Sequence, residues 1–243
     1  TIFDAATLSP VKEMTGNSVT PQNSCCVTPD GRYLITGGER ENFIRVWDLM
    51  FATLVKKVKI DDIGLYSAEW IDIKVSPDGK YISVLKDRGL TLIRTGDWSV
   101  VLREVYGRDS RHAWMPDSER IVVACTSGIK NNAVEIINLR IGKKTRIIDA
   151  DIPKASDIAV SNDGDLIAIA ETSAFEPFQS SLRIIRSDNG VTLKTFTGIS
   201  RNYRICFTDD GKNIIGLGDT LRGVSLADGS VRTLRSGVSS FIK

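Results

Sequence analysis

The residue types that most often perform catalysis are sparse in this chain. His112 is its one histidine, which excludes the paired-histidine spacings that hold catalytic zinc, and repeated cysteine–histidine clusters are absent as well. His112 could act alone as a general base, but it stands beside Trp114 where a strand is expected to begin, and that position favours a structural role. We therefore expect no metal site.

Two carboxylate pairs are the remaining candidates for chemistry. Asp61-Asp62 lies in a long connection, where it could chelate a cation or simply be solvated, whereas Asp209-Asp210 belongs to a turn that explains it structurally. Gly216-Leu217-Gly218 begins like a dinucleotide-binding loop but lacks the third glycine, and the chain has no nucleophile elbow and no Walker A loop. The sequence therefore predicts a protein that is not an enzyme and has no catalytic residues or cofactors.

The elements that would position any site come from a repeat. Five times, a short apolar segment runs into a Pro-Asp-Gly-like turn and a second apolar segment follows, with the turn aspartates 39 to 48 residues apart. These aspartates are Asp30, Asp78, Asp117, Asp163 and Asp210. Proline presets its own φ, aspartate bonds the backbone that follows, and glycine supplies the positive φ needed to enter the next strand. Ser118 replaces glycine in the third copy, so we expect a strained or longer turn there.

Each repeat divides into four short strands. The second strand is a continuous apolar run, as expected for a strand covered on both faces, and the fourth carries lysines and arginines that suit an exposed outer edge. A repeat of this length, rich in strand formers, is typical of propeller blades. The sequence thus predicts an all-β propeller of four-stranded antiparallel blades that forms a single domain over 1–243.

The ends of the chain contain the same pattern in pieces. The repeats span approximately 22–60, 70–105, 111–148, 156–196 and 203–235, with partial copies at 1–16 and 237–243. The N-terminal piece has the pattern of third and fourth strands and the C-terminal piece that of a first strand, so the termini could share a composite blade without a second strand. We expect six blades, with seven as the alternative, and a chain that is a segment of a larger protein.

Composition and charge argue against several classes of partner. Hydrophobic residues make up 42% and charged residues 26%, and the net charge of +2 gives no electrostatic drive toward nucleic acid or anionic membranes. No apolar run approaches the ~18 residues of a membrane span, and no signal peptide is evident. The four cysteines fall in predicted strands and are expected to be buried and reduced. We expect a cytoplasmic protein, with a nuclear location as the alternative, that binds neither nucleic acid nor membrane.

The first repeat carries a motif that can be named. Ile44-Arg45-Val46-Trp47-Asp48-Leu49, preceded by the turn and strand at 28–38, resembles a WD40 repeat, and later copies resemble the looser WD40-like pattern with its recurring Ser-Pro-Asp-Gly-Lys. The likeness covers nearly the whole chain as a repeat, but only the first copy has the Trp-Asp dipeptide. The family's Gly-His pair and its His-Ser/Thr-Trp network are largely missing, because no glycine precedes His112. The resemblance implies a WD40-like β-propeller.

The resemblance also implies where a partner would bind. In WD40-like propellers, the loops from second to third strands and from fourth strands to the next first strand crowd one face, which is the commonest binding surface. Arginine and aromatic residues, which dominate interface energetics, occur in these loops. The candidate partner contacts are Arg40, Arg88, Arg108, Arg201, Tyr66, Tyr106, Phe175 and Phe178. Phe175 and Phe178 could equally cap the channel or a neighbouring blade, and the sequence leaves both interpretations open.

These observations favour a non-catalytic scaffold that presents rigid loops to a protein or peptide partner, as part of a larger chain or complex. Two alternatives stay open: a sensor or regulatory propeller of a multidomain signalling protein, and the gating propeller of a prolyl-oligopeptidase-like hydrolase. A nucleotide-binding module upstream would favour the first alternative. An α/β-hydrolase segment with a nucleophile elbow would favour the second.

Overall fold

Antiparallel β-strands make up the regular structure of the protein. Its computed structural model describes residues 1–14, 22–38, 41–60, 71–86, 88–107, 110–125, 133–149, 154–172, 180–197, 202–218 and 220–236. The strands form one two-stranded sheet and five four-stranded sheets, which we number blades 1 to 5 in chain order. In these ranges no helix is long and apolar enough to cross a membrane. The predicted all-β class and the four-stranded antiparallel blades are confirmed.

The strands of each blade are hydrogen-bonded in the order in which they follow one another along the chain. The two-stranded sheet pairs β1 (Ile2–Phe3) with β2 (Pro10–Lys12). Blade 1 contains β3 (Gln22–Val27), β4 (Tyr33–Gly38), β5 (Phe43–Asp48) and β6 (Thr53–Lys59). Blade 2 contains β7 (Ile71–Val75), β8 (Tyr81–Lys86), β9 (Gly89–Arg94) and β10 (Val100–Val105). Blade 3 contains β11 (Arg111–Trp114), β12 (Arg120–Cys125), β13 (Ala133–Asn138) and β14 (Lys143–Asp149). Blade 4 contains β15 (Ala155–Val160), β16 (Leu166–Thr172), β17 (Ser180–Arg186) and β18 (Thr192–Thr197). Blade 5 contains β19 (Asn202–Phe207), β20 (Asn213–Gly218), β21 (Thr220–Ser225) and β22 (Val231–Ser236).

The chain divides into two compact units, Thr1–Val105 and Tyr106–Lys243. Unit 1 holds the two-stranded sheet with blades 1 and 2, and its core is formed where these two blades pack together. That core includes Ile35, Ile44, Val46, Ile71, Ile73 and Ile82. Unit 2 holds blades 3 to 5, and each pair of successive blades encloses a core. These two cores include Val122, Val134, Ile158, Ile167, Leu182, Ile184, Ile205 and Val224.

Burial along the second strands follows the predicted pattern in blades 2 to 4, whereas β4 and β20 keep half-buried residues among the buried ones. The second strands β8, β12 and β16 are buried almost from end to end, as expected for strands covered on both faces. The fourth strand of blade 1 is exposed over most of its length, including Lys56, Lys57 and Lys59. Charged side chains on an exposed outer strand disfavour unwanted strand pairing.

The Pro-Asp-Gly-like turns share one hydrogen-bonding scheme in blades 1, 2, 4 and 5. A Ser or Thr hydroxyl donates to the turn aspartate at 2.5–2.7 Å, and the same carboxylate oxygen accepts the backbone N–H two residues further on at 3.0 Å. In blade 3 Met115 has no hydroxyl; Asp117 still accepts the N–H of Glu119, two residues further on, and also accepts the N–H of Arg120. Ser118 has φ of +60°, a conformation that costs energy for a residue with a β-carbon. The predicted strained turn is confirmed.

Each blade has two ends that we name by their connections. The turn edge carries the turns between first and second and between third and fourth strands. The loop edge carries the loops between second and third strands and the connections that lead to the next blade. At the turn edge of every blade, a backbone N–H of the second turn donates to a carbonyl of the first at 2.8–2.9 Å. The turn edge is therefore a regular hydrogen-bonded structure.

Hydrogen bonds from a lysine join the two-stranded sheet to blade 1. Lys12 of β2 donates to the carbonyl of Leu49 at 3.3 Å and makes a closer contact with the carbonyl of Met50. In unit 2, Lys194 of the fourth strand β18 contacts the two equivalent carbonyls of blade 5, those of Leu226 and Ala227. Strand β2 thus takes the place of a fourth strand before blade 1, as predicted. The sheets are consistent with six blades, and 237–243 lies outside the described residues.

Candidate functional site

The candidate catalytic residues occupy structural positions. His112 is fully buried in β11, Asp209-Asp210 lies in a turn, and the Gly216-Leu217-Gly218 stretch is part of strand β20 and not a loop. Asp61-Asp62 lies outside the described residues. Within the described ranges, no group of three or more His, Cys, Asp or Glu side chains could hold a metal ion.

The cysteines differ from expectation in their burial. Cys125 is buried and Cys26 is partly buried, but Cys25 and Cys206 are exposed, so the prediction of burial is wrong for these two. Both lie on first strands, which are edge strands of their blades and are covered on fewer sides than inner strands. Burial raises the pKa of the Cys26 thiol to about 12, so this sulfur stays protonated and is a weak nucleophile.

A buried ion pair forms the centre of the loop edge in unit 1. Arg45 of β5 holds both carboxylate oxygens of Glu41, one at 2.7 Å and the other in a closer contact. The side chains are 2% and 9% exposed. Gln22 donates to the same carboxylate at 3.1 Å and accepts from Arg45 at 3.4 Å. The start of β3, the loop before β5 and the middle of β5 are therefore joined by charge-assisted hydrogen bonds.

Two further contacts hold this cluster in place. Lys86, at the end of β8 in blade 2, donates to the backbone carbonyl of Glu41 at 2.6 Å. The guanidinium carbon of Arg45 lies 4.7 Å from the ring centroid of Phe43, and the ammonium of Lys57 lies 5.1 Å from the same centroid. Cation–π contacts of this kind are attractive and hold the ring beside the two cations. The second-to-third-strand loop of blade 1 is thus anchored to both blades of unit 1.

Blade 4 carries a related ion pair at its loop edge. Arg183 of β17 lies 2.8 Å from Glu171 of β16, and Ser181 donates to the same carboxylate at 3.1 Å. Between blades 3 and 4, the Nε of Arg111 donates to the carbonyl of Ser156 at 2.8 Å. Both units therefore use arginine to hold the ends of neighbouring strands at the loop edge.

The structure places the predicted partner contacts as follows. Arg88 is exposed and stands in the two-residue loop between Lys86 and Gly89 at the loop edge of blade 2. Tyr106 is fully buried, with the ammonium of Lys144 5.5 Å from its ring centroid. Because its side chain is buried, Tyr106 is corrected from a surface contact to a packing residue. The other predicted contacts lie outside the described residues: Arg40, Arg108, Arg201, Tyr66, Phe175 and Phe178.

Sequence reasoning missed the Glu41–Arg45 pair. From the sequence pattern, an arginine within a strand is expected on an exposed face. The structure instead buries Arg45 against Glu41, which lies in the loop before the strand. The available signal was a glutamate four residues before an arginine in a segment that is otherwise apolar, Phe43-Ile44-Arg45-Val46-Trp47. The involvement of Lys86 depends on how blade 2 packs against blade 1, which no local pattern encodes.

The Trp-Asp dipeptide of blade 1 has two structural roles. Trp47 donates its indole N–H to the hydroxyl of Thr36 on the neighbouring strand at 3.0 Å. Asp48 accepts the backbone N–H groups of Met50 and Phe51 at 2.9 and 3.1 Å, which fixes the turn after β5. The Trp-to-hydroxyl arm of the expected network is therefore present, although the histidine arm is missing from the sequence.

Comparison with known proteins agrees with this geometry. The sequence model of the family described as "WD domain, G-beta repeat" matches residues 8–48, which include β2 to β5. The solved structure of Kuenenia stuttgartiensis hydrazine synthase superposes with a TM-score of 0.73 at 17% identity, covering 93% of this chain and 70% of that chain. The chain has the β-propeller fold and carries a WD40 repeat at residues 8–48. This WD40-like propeller also resembles Kluyveromyces lactis Hsv2, with a TM-score of 0.60 at 16% identity.

The comparisons define the fold of the WD40-like propeller and leave its partner open. The superposition with Hsv2 covers 80% of this chain and 58% of that chain. No curated protein matches the chain in sequence. At identities of 16% and 17%, the two structural likenesses show the fold alone.

Proposed function

We propose that this WD40-like propeller is a non-catalytic scaffold that binds a protein or peptide partner through its loop edge. The observation that carries the proposal is the buried Glu41–Arg45 pair, tied to blade 2 by Lys86. Proteins of this fold commonly mediate protein–protein interaction. The cluster supports such a role because it fixes a loop on the edge from which the family binds.

Holding a loop with a buried ion pair carries a large desolvation free energy. Removing two charges from water costs several kcal/mol per ion, and the attraction between them often fails to repay that cost. Apolar packing would stabilise the same region at least as well, so stability alone is a poor explanation for Arg45. A fixed loop, by contrast, loses little conformational entropy when a partner binds, which raises affinity.

The exposed cation next to this cluster supplies the proposed contact. Arg88 stands in a two-residue hairpin loop directly after Lys86, so its backbone position is set by the strands on either side. Arginine is enriched among residues that dominate interface energies. We propose Arg88 as a partner contact together with Arg40, Arg108, Arg201, Tyr66, Phe175 and Phe178, and we leave out the buried Tyr106.

The test is capture of a partner from cell extract, identified by mass spectrometry. The test variant changes Arg40, Arg88 and Arg108 to glutamate. Its matched control changes three exposed cations of the turn edge, Lys80, Arg140 and Lys212, to glutamate and so alters the net charge equally. We expect the control to retain the partner and the test variant to lose it while keeping its melting temperature. Loss in both variants, or retention in both, would contradict a specific loop-edge site.

A further inference from the structure

One turn at the turn edge exposes two large apolar side chains. Met50 and Phe51 follow β5 in blade 1 and are 71% and 66% exposed. The equivalent turns of the other four blades have Gly96-Asp97, Arg140-Ile141, Asp188-Asn189 and Ala227-Asp228 at these places. Only blade 1 therefore presents two adjacent large apolar residues on this turn. Exposed apolar residues that cluster in this way often mark interaction sites.

The Met50–Phe51 turn is held by contacts on three sides. Asp48 accepts the backbone N–H groups of both residues, and Lys12 of β2 contacts the carbonyls of Leu49 and Met50. The N–H of Leu49 donates to the carbonyl of Arg32 at 2.8 Å. The backbone of the turn is therefore set before any partner arrives, and the two side chains can act as anchors at a low entropic cost.

The hairpin that carries this turn is cationic, and among the described strands its last strand, β6, is paired on one side alone. Strand β6 has Leu54, Val55, Lys56, Lys57 and Lys59 exposed. In the hairpin from Phe43 to Lys59 the single carboxylate is Asp48, which is buried and lies 3.6 Å from Arg32. Strand β6 is the last strand of blade 1 and is hydrogen-bonded there to β5. Its outer backbone edge is thus flanked by apolar side chains at one end and by lysines at the other.

We propose that the outer edge of β6, together with the Met50–Phe51 turn, binds an extended acidic segment of a partner protein. Such a segment adds a strand to the edge by backbone hydrogen bonds, its apolar side chains contact Met50, Phe51 and Leu54, and its carboxylates face the lysines. The Met50–Phe51 turn lies at the opposite end of β5 from the loop edge, roughly 17 Å away at ~3.3 Å per residue. Strand β6 runs back from this turn toward the loop edge, where Lys59 pairs with Phe43. Substitutions in the turn therefore test this surface separately from the loop-edge site, whereas Lys57 also contacts Phe43 of the loop-edge cluster.

Charge complementarity selects an acidic partner, and the open edge selects a peptide over a lipid surface. Lysines on an edge strand discourage pairing with a neutral or basic strand, whereas carboxylates neutralise them. An anionic bilayer would also attract the lysines and the turn. Its hydrocarbon, however, cannot satisfy the outward-facing N–H and C=O groups of β6, which no described strand pairs and which a peptide strand can bond. The same features distinguish an acidic segment from a second copy of this chain, whose β6 would bring lysines against lysines.

The experiment is selection from a random-peptide display library on the purified full chain, with enriched sequences read directly. We expect enrichment of peptides in which Asp or Glu alternates with large apolar residues. Binding of the enriched peptides, measured by fluorescence anisotropy, should weaken roughly tenfold or more in a Met50→Ser/Phe51→Ser variant, as expected for a central anchor. It should weaken similarly in Lys56→Glu/Lys59→Glu, which leaves the Lys57–Phe43 contact in place.

Two matched variants control for nonspecific effects. Ile141→Ser removes an exposed apolar residue from the equivalent turn of blade 3, and Arg232→Glu/Arg235→Glu reverses exposed cations on the fourth strand of blade 5. Both should bind the selected peptides as the unmodified chain does. Enrichment of basic peptides, absence of enrichment, or equal binding by the Met50→Ser/Phe51→Ser variant would overturn the proposal. Binding to phosphatidylserine vesicles, or self-association in sedimentation, that is lost in this variant without acidic-peptide selection would overturn it in favour of a membrane or a second copy.

Discussion

The Cδ of Pro29 lies 3.1 Å from the position that a β-carbon on Gly79 would occupy. Pro116 has the same relation to Gly164, at 3.4 Å. The proline of one turn therefore packs on the glycine of the next blade's turn within each unit. In blade 4, Asn162 stands where blades 1 to 3 have proline, and its amide donates to the carbonyl of Asp209 in blade 5 at 3.1 Å. The Pro-Asp-Gly repeat thus joins neighbouring blades as well as turning the chain.

Replacing Gly79 with alanine should therefore lower the free energy of unfolding more than replacing Gly31 with alanine does. Both glycines have positive φ, of +74° and +69°, so alanine carries a backbone penalty of roughly 1–2 kcal/mol at either site. A β-carbon at Gly31 meets no atom within 4 Å, whereas one at Gly79 presses on Pro29. Urea titration gives the two free energies of unfolding. Adding Pro29→Ala to Gly79→Ala should remove the excess, and equal losses in the two single variants would show that the proline contact is unimportant.

The turn aspartates should make stability depend on acid pH. Hydrogen bonds from Thr or Ser hydroxyls lower the pKa of Asp30, Asp163 and Asp210, and the backbone N–H of Ser230 is the main cause that lowers the pKa of Asp228 to about 2. A carboxylate whose pKa is lower in the folded state stabilises that state fully above its unfolded pKa of about 4. This contribution is lost as the pH falls from about 4 toward about 2.

Urea midpoints measured between about pH 5 and pH 2 test this dependence. We expect the midpoint to fall through the window, and we expect Asp228→Asn to flatten part of the decline because it removes one titrating group. Asp209→Asn provides a control at the other exposed aspartate of the blade 5 turn. A midpoint that stays constant down to pH 2 would contradict the role of these hydrogen bonds.

Much of the fold could be predicted because its signals are local. Each Asp-Gly turn requires particular residues within a few positions, and the apolar runs on either side report strands that are covered on both faces. The exception in blade 3 was also predictable, since Ser118 lacks the conformational freedom of glycine. Packing between blades was not predictable in this way, because it joins residues about one repeat apart, as Pro29 and Gly79 do.

The candidate site was less predictable for the same reason. Arg88 could be placed in a loop from its own surroundings, and it is exposed there. Tyr106 follows the fourth strand of blade 2 in sequence, but its burial depends on contacts with residues far along the chain, such as Lys144. The Glu41 carbonyl meets Lys86 only because two blades pack side by side. Local patterns report turns and strands, whereas the contacts between blades decide which polar groups reach the surface.

The interface between blades 1 and 2 leaves no room at Gly37. A β-carbon there would stand 2.7 Å from the Cδ1 of Ile71 and 2.8 Å from the Cδ1 of Ile73. Gly37→Ala should therefore destabilise the protein by about 1–3 kcal/mol, as overpacking of a core does. Ile71→Val and Ile73→Val remove the two Cδ1 atoms. Combined with Gly37→Ala, they should lower the free energy of unfolding by less than the sum of the three separate losses. Thermal or urea unfolding of the four variants gives this coupling, and strict additivity would show that the blades adjust freely.

Removing one partner of the Glu41–Arg45 pair should destabilise the protein more than replacing both partners with apolar residues. Glu41→Gln leaves the buried guanidinium of Arg45 without its counter-charge, and such a change costs about 3–5 kcal/mol. Glu41→Leu combined with Arg45→Met removes both charges and should recover most of that loss. Arg94→Gln, which breaks the exposed Arg94–Asp97 pair, is the control and should cost less than about 1 kcal/mol.

The same double variant separates stability from binding. If the ion pair serves to position the loop edge, Glu41→Leu/Arg45→Met should fold with near-normal stability and yet capture the partner poorly, because the loop loses the bidentate contact that orients it. On the same preparation, urea titration measures the stability of the double variant and partner capture measures its binding. Full capture by a stable double variant would mean that apolar packing orients the loop equally well, and the charges would then need another explanation.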